Sequence, residues 1–479
     1  MPFSNPNKLF LLTRAADDRI GPLKKDIQYL MKGIGYFGLS VALLVVSCGH
    51  AAQNAKPVPQ ADSVSAGPTS LPPLTGPEKE HYSAITEHFF DSMLAGRFNG
   101  SVLVAKNGVV LYERYKGFRN PRLKKDSLDE HTAFHLASMS KTFTAMATLK
   151  LWEDGKLDIH DPVAKYLAGF PYPEVTIQTL LNHRSGLHNY VHFMYKPDVD
   201  KHKFLNNGDV LDYIIKHAHD RDVYSGVSNR HFEYSNTNYA LLAMIIEKVS
   251  GLSYADFMTN TFFQPLQMED TYVYNLSDSA KAMTSYYQSG RPFRMEFLDL
   301  VYGDKNIYST VRDIYKWDQA LRSGQLFSKG VLDSAYSGYS FEKPGQRNYG
   351  LGWRMLMIPN GKKLIYHNGW WHGNRTVFIR MLDENATIIA LSNNDYKNVY
   401  SAKRLVDLFG DYRQGHESFD EGGESADSAN DPGHGGEPHE IIKADIPPSS
   451  HPPVHPPIHH PIRKAAHPIR KKKVVKPAA

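Results

Sequence analysis

Phe134-His135-Leu136-Ala137-Ser138-Met139-Ser140-Lys141, followed by Thr142 to Glu153, decides what this chain folds into. Phe143, Met146, Ala147, Leu149 and Leu151 recur behind it at helical spacing, so Ser138 is expected to open a helix with Lys141 one turn on. Two more motifs follow in order, Tyr234-Ser235-Asn236 and His367-Asn368-Gly369. Together they supply a hydroxyl nucleophile with a nearby lysine, a phenol with a carboxamide, and an imidazole beside a glycine. Acyl transfer through a serine needs that inventory.

None of the three is specific alone. Ser340-Phe341-Glu342-Lys343 repeats the Ser-x-x-Lys spacing, Tyr396-Lys397-Asn398 repeats Tyr-x-Asn, and His434-Gly435-Gly436 repeats His-x-Gly. Context separates them. Pro344-Gly345 stops any helix behind Ser340, and His434 lies in a polar, glycine-rich stretch. Only the first set has elements around it that can build a site.

Around that set the chain closely resembles the penicillin-recognising serine hydrolases: class C β-lactamases, DD-carboxypeptidases, and esterase and aminopeptidase relatives. The likeness runs from about Ser101 to Asn394. Besides Phe134 to Lys141 it includes Gly155-Lys156-Leu157-Asp158-Ile159-His160-Asp161-Pro162-Val163 and Tyr308-Ser309-Thr310-Val311-Arg312-Asp313. It also includes Thr176-Ile177-Gln178-Thr179-Leu180-Leu181-Asn182-His183-Arg184-Ser185-Gly186-Leu187. The set is specific for the family and much less so for a substrate. The resemblance implies a β-lactamase/transpeptidase-like fold, α+β, in which an antiparallel sheet is flanked by helices. A mainly helical subdomain is inserted against the sheet, and the active site lies between them.

The residue pattern points the same way. A helical segment spans Glu78 to Ala95. A hairpin signal follows, Ser101 to Ala105 and Val109 to Tyr115 around Lys106-Asn107-Gly108. A mainly helical region runs from Thr132 to about Leu326. Strand signals return at Lys363 to His367, Thr376 to Met381 and Thr387 to Ser392. Early and late strands with helices between make an α+β pattern.

The roles follow. Ser138 is the expected nucleophile, since helix-start amides and the helix dipole favour developing negative charge. Lys141 shares its helix face and relays the proton. The bland alternatives are an N-cap serine and an exposed lysine. Tyr234 is the second proton handler; a phenol near pKa about 10 needs cationic neighbours, for which Lys141 and His367 are expected. Asn236 is expected to bind the substrate's amide side chain and help hold Lys141, although Ser235, Asn236 and Asn238 are also good helix caps. His367 stands where most β-lactamases of the resemblance carry lysine. An imidazole with pKa about 6.5 would dock a carboxylate weakly, and less well as pH rises from about 5.5 to 7.5. Gly369 permits close approach of its strand to substrate. The resemblance places the oxyanion hole at the backbone N–H groups of Ser138 and Trp370. Trp370, Trp371 and His372 form either a cleft wall or a packed strand end. His183 reads as structural.

Residues 1–48 read as a signal region. Its apolar stretch, Gly33 to Cys48, is short for a membrane span and suits a signal-peptide apolar region. Val45-Val46-Ser47-Cys48 resembles a bacterial lipobox, making Cys48 the expected lipidation site; a short membrane anchor with an incidental cysteine is the alternative. Met31-Lys32 reads as the expected true start. Residues 49–77 form a Pro/Ala/Ser-rich tether, and residues 78–413 the hydrolase domain. Residues 414–479 are an acidic and then Pro/His/Lys-rich tail, either simply solvated or attracted to an anionic envelope surface. Proline interleaving argues against a preformed metal site among its histidines.

Composition adds bounds. The 479 residues, 41% hydrophobic and 12% aromatic, suffice for one large two-part domain. A net charge of +5, concentrated at the C-terminus, makes no case for nucleic-acid binding. One cysteine excludes an internal disulfide. No metal-ligand spacing, phosphate loop or dinucleotide fingerprint is present, so no cofactor is expected. The expectation is a lipid-anchored, envelope-facing serine hydrolase acting through an acyl-enzyme. Its substrates would be small molecules or peptides, first D-amino-acid peptides or amides as in a DD-carboxypeptidase, then esters, then β-lactams. An inactive binding protein on the same fold ranks last.

Overall fold

Val102 and Val104 project to one side of a strand and Leu103 and Ala105 to the other, yet all four are buried. A strand covered on both faces must lie inside a layered sheet. In the computed structural model, which describes residues 72–93 and 96–412, this strand is β1 (Gly100–Lys106) of a seven-stranded antiparallel sheet. The others are β2 (Val109–Lys116), β3 (Arg347–Tyr349), β4 (Arg354–Met357), β5 (Lys363–Trp371), β6 (Asn374–Met381) and β7 (Ala386–Ser392). Their order is β2-β1-β7-β6-β5-β4-β3. The expected hairpin forms, with Asn107 and Gly108 both left-handed as a two-residue turn between twisted strands requires. Distant parts of the chain close the sheet, since β1 pairs with β7 from Gly100↔Ser392 to Lys106↔Ala386.

Helix α1 (Gly76–Met93) and the 3₁₀ stretch Lys397–Leu408 cover one face, packing Phe90, Leu405 and Val406 against Val102, Ile379 and Ile388. Helices α2 (Ser140–Glu153), α3 (Asn236–Ser250) and α4 (Val311–Arg322) belong to the layer on the other face. There Phe143 of α2 stacks on Trp317 of α4 at 4.7 Å. The α+β architecture is as expected. Strands β3 and β4 were not anticipated, because three or four residues give no alternation to read.

Cys48, Met31 and the tail 414–479 lie outside the described residues, as does most of the tether; α1 begins at Gly76, within its expected end. Among the described residues, no helix is long and apolar enough to cross a membrane.

Candidate active site

Ser138 does not begin α2. It sits in a 3₁₀ turn, Ala137–Met139, two residues before the helix starts at Ser140. Ala137 has φ of 50°, a conformation costing an L-residue about 1 kcal/mol or more. Flanking hydrogen bonds hold it there. The Ala137 amide donates to His135 Nδ1 at 3.0 Å, and His135 Nε2–H donates to Asn306 Oδ1 at 3.0 Å. Leu136 is fixed from both sides: its amide donates to the Ile307 carbonyl, and its carbonyl accepts from Thr376 Oγ1 at 2.8 Å. Burial lowers the His135 pKa to about 4, so its ring stays neutral in this role. The turn leaves Ser138 half-buried and reachable beside buried neighbours.

Lys141 points back along the first turn. Its Nζ lies 3.1 Å from Ser138 Oγ, 2.7 Å from Asn236 Oδ1 and 2.9 Å from the backbone carbonyl of Asp304. The side chain is fully buried. Three directed acceptors, none of them charged, therefore hold the ammonium against the hydroxyl.

Tyr234 and Asn236 enter from the start of α3. The expected capping patch takes another form: Ser235 is the N-cap residue, but its hydroxyl donates to the His188 carbonyl at 3.2 Å. The Asn236 amide is instead taken by Asn189 Oδ1 at 3.3 Å. His183 acts as a structural post, its Nδ1 accepting from the Ser235 amide at 3.2 Å and from Asn238 Nδ2 at 3.1 Å. Its ring centroid lies 4.4 Å from that of Tyr234. Two cations face the Tyr234 ring, Lys141 Nζ at 5.0 Å and the Arg354 guanidinium at 4.8 Å. Arg354, on short strand β4, was missed by the sequence reading.

His367 differs from expectation. It is buried, with Nδ1 on the Asn368 carbonyl at 2.6 Å and Nε2 facing the Tyr349 hydroxyl at 3.1 Å. A carbonyl can only accept, so Nδ1 carries the proton and Nε2 accepts from Tyr349. Burial, then the charges of Arg354 and Lys141, hold its pKa well below the usual imidazole range. It is a neutral wall group, and the titration expected between about pH 5.5 and 7.5 is not its own.

Gly369 also works differently. A Cβ there would come within 2.2 Å of the Leu136 carbonyl oxygen and of Thr376 Oγ1. The glycine thus lets strand β5 lie against the turn that carries Ser138. Pairing of β5 with β4 stops at Tyr366, so His367 to Trp371 are paired only with β6 and turn one edge to the cleft. Trp370 is half-buried, its Nε1 donating to the His372 carbonyl at 3.0 Å beneath the Arg375 guanidinium. Trp371 donates to Asp299 Oδ1 at 2.8 Å.

The fold also gathers Glu296, Asp299 and His372, whose donor atoms lie within 4.8 Å of one another. Sequence spacing could not show this set. His372 Nε2 lies 3.0 Å from both Asp299 oxygens, closing an ion pair that anchors the β5–β6 turn.

The structure thus brings Ser138, Lys141, Tyr234, Asn236, His367 and Gly369 together where β5 meets the starts of α2 and α3, with Trp370 following Gly369 on β5. The pattern of the family described as Beta-lactamase matches residues 86–409. The chain belongs to that family. It is 36% identical over 323 residues to penicillin-binding protein 4* of Bacillus subtilis (strain 168), covering 64% of this chain and 70% of the relative. It is 28% identical over 289 residues to a teichoic acid D-alanine hydrolase of Staphylococcus aureus, covering 59% and 68%. The octameric penicillin-binding protein homologue from Pyrococcus abyssi superposes with a TM-score of 0.58 at 25% identity, over 68% of this chain and 76% of that one. The D-amino acid amidase of Ochrobactrum anthropi SV3 shares the fold, with a TM-score of 0.56 at 21% identity over 68% and 97%. The protein is therefore a β-lactamase-family serine hydrolase related to penicillin-binding proteins.

Proposed function

We propose that this hydrolase acts through an acyl-enzyme on peptides or amides ending in D-amino acids, in the manner of a DD-carboxypeptidase. Ser138 Oγ attacks the carbonyl while Lys141 and Tyr234 take its proton. The Ser138 and Trp370 amides hold the oxyanion, the leaving amine departs protonated, and water releases the acyl group. The observation carrying this reading is Arg354. With His367 neutral, the guanidinium over Tyr234 is the cation suited to a substrate's terminal carboxylate. A relative named for hydrolysing the D-alanine of teichoic acid supports a D-amino-acid substrate. A D-alanyl ester is the second reading, favoured by the neutral His367. β-Lactam hydrolysis ranks below both.

The test uses fluorescent penicillin, a D-Ala-D-Ala-ended peptide and a neutral D-alanyl ester. Labelling and turnover are expected to vanish in Ser138→Ala; unchanged turnover sinks the mechanism, whereas no labelling and no turnover in the wild-type protein leaves the binding-protein alternative. Arg354→Met is expected to raise KM for the carboxylate-ended peptide by about tenfold to a hundredfold, as loss of a charged hydrogen bond does. The ester's KM should hold; equal effects on both remove Arg354 from carboxylate docking. We further propose that Cys48 carries a lipid anchor and that the basic tail meets an anionic envelope surface. Cys48→Ser should release the protein from the membrane fraction, and retention there refutes the anchor.

A further inference from the structure

The segment Gly303-Asp304-Lys305-Asn306 passes directly behind Lys141, and its residues are used in opposite directions. Gly303 gives its carbonyl to Thr144 Oγ1 of α2 at 2.6 Å. Asn306, at φ of 74°, sends its side chain to the carbonyls of Asp299 and Val301 and to His135. Asp304 serves two groups at once. Its backbone oxygen accepts from Lys141, while its carboxylate accepts from the Tyr190 hydroxyl at 2.9 Å and pairs with Lys305 at 3.5 Å.

Lys305 has a side chain only 2% exposed. Its ammonium donates to the Tyr190 hydroxyl and lies 4.6 Å from the Trp371 ring. Each contact belongs to a different part of the cleft. The Tyr190 amide donates at 2.8 Å to Thr237 Oγ1, one residue past Asn236. Trp371 lies two residues past Gly369 on β5 and is held at its other end by Asp299. Burying an ammonium costs several kcal/mol before pairing, and an apolar side chain would fill the space at less cost. Stability alone therefore does not account for a lysine here.

We propose that Lys305 is a positioning residue: it fixes Asp304 so that its carbonyl meets Lys141, and it ties the helical and sheet walls together. The role rests on the hydrolase reading above, because it acts through Lys141. Lys305 does not touch the reacting atoms; burial keeps it from substrate. Its effect is geometric. With Lys305 removed, the Asp304 carboxylate retains the Tyr190 hydroxyl but loses its cation, and the carbonyl facing Lys141 is free to shift.

The experiment compares Lys305→Met, Asp304→Asn/Lys305→Met and Tyr190→Phe in the full chain, on the neutral ester. The double variant removes both charges together and controls for an unpaired buried carboxylate. Tyr190→Phe removes one hydroxyl and keeps the ring. Folded variants are expected to lose about tenfold to a hundredfold in kcat with KM within about threefold, as misplacement of a reacting group does. The rising limb of kcat against pH should also move, which a purely structural role would not cause. Wild-type kcat and pH profile in folded Lys305→Met or in the double variant overturn the proposal, as does an unaltered Tyr190→Phe. Ser138→Ala separates the two ideas: turnover surviving that change defeats the hydrolase reading, whereas the Lys305 results bear only on positioning.

Discussion

Two buried lysines meet at Asp304, and their surroundings differ in one respect. Lys141 is held by a hydroxyl, a carboxamide oxygen and a backbone carbonyl, all uncharged. Lys305 is held by the carboxylate of the residue whose carbonyl serves Lys141, together with a phenol. Acceptors of both kinds favour the ammonium, but a neutral oxygen does so less than a carboxylate, which adds its full charge. The first environment holds the ammonium against the Ser138 hydroxyl, and the second ties it to a carboxylate away from the serine. The same side chain is given two uses by its acceptors alone.

The largest expected effect comes from removing the mobile proton. Lys141→Met should lower kcat/KM by about a thousandfold or more, well beyond Lys305→Met, with the fold retained by circular dichroism. Equal losses at the two lysines would erase the distinction. Asn236→Asp is the sharper trial, because it places a carboxylate 2.7 Å from Lys141 and recreates the Lys305 environment. Activity at neutral pH should drop about a hundredfold and recover as pH is raised, since the retained proton must first be lost. A loss that does not vary with pH would show that Asn236 matters only for shape.

Gly369→Ala probes the spacing both walls depend on. A Cβ 2.2 Å from the Leu136 oxygen forces backbone apart, so we expect about tenfold lower kcat and about 1–3 kcal/mol lower stability. Wild-type kinetics would mean that the turn can yield.

The smallest effect is on acid stability. His135, His183 and His367 are all buried, with pKa values depressed first by burial. Their folded-state values lie below the unfolded value of about 6.5, so as pH falls the unfolded chain takes up protons first. Stability should be intact above about pH 6.5 and decline below it, for His135 down to about pH 4. Tm between pH 7.5 and 4.5 checks this, and His135→Gln should flatten the slope.

Much of this was legible in the chain. The three motifs converge because each sits beside a periodic run that fixes its element, and Asn107-Gly108 announced its hairpin. The sequence misled where burial decides the chemistry. His367 was assigned the behaviour of an exposed imidazole, and only the fold shows both its nitrogens engaged. The roles of Arg354, Tyr349 and His135 left no signal, because each depends on a contact with a residue distant in sequence. His135 meets Asn306 across 171 residues, and Arg354 lies on a four-residue strand.

Gly369 sets a gauge for the cleft. Because the glycine sits against the Leu136 carbonyl and the Thr376 hydroxyl that bonds it, the gap beside Ser138 is fixed by strand backbone meeting the turn's backbone with one short side chain between. Side chains farther along the cleft can then be exchanged without resetting that gap. Substrate preference is free to drift within such a frame while the reacting distances stay as they are.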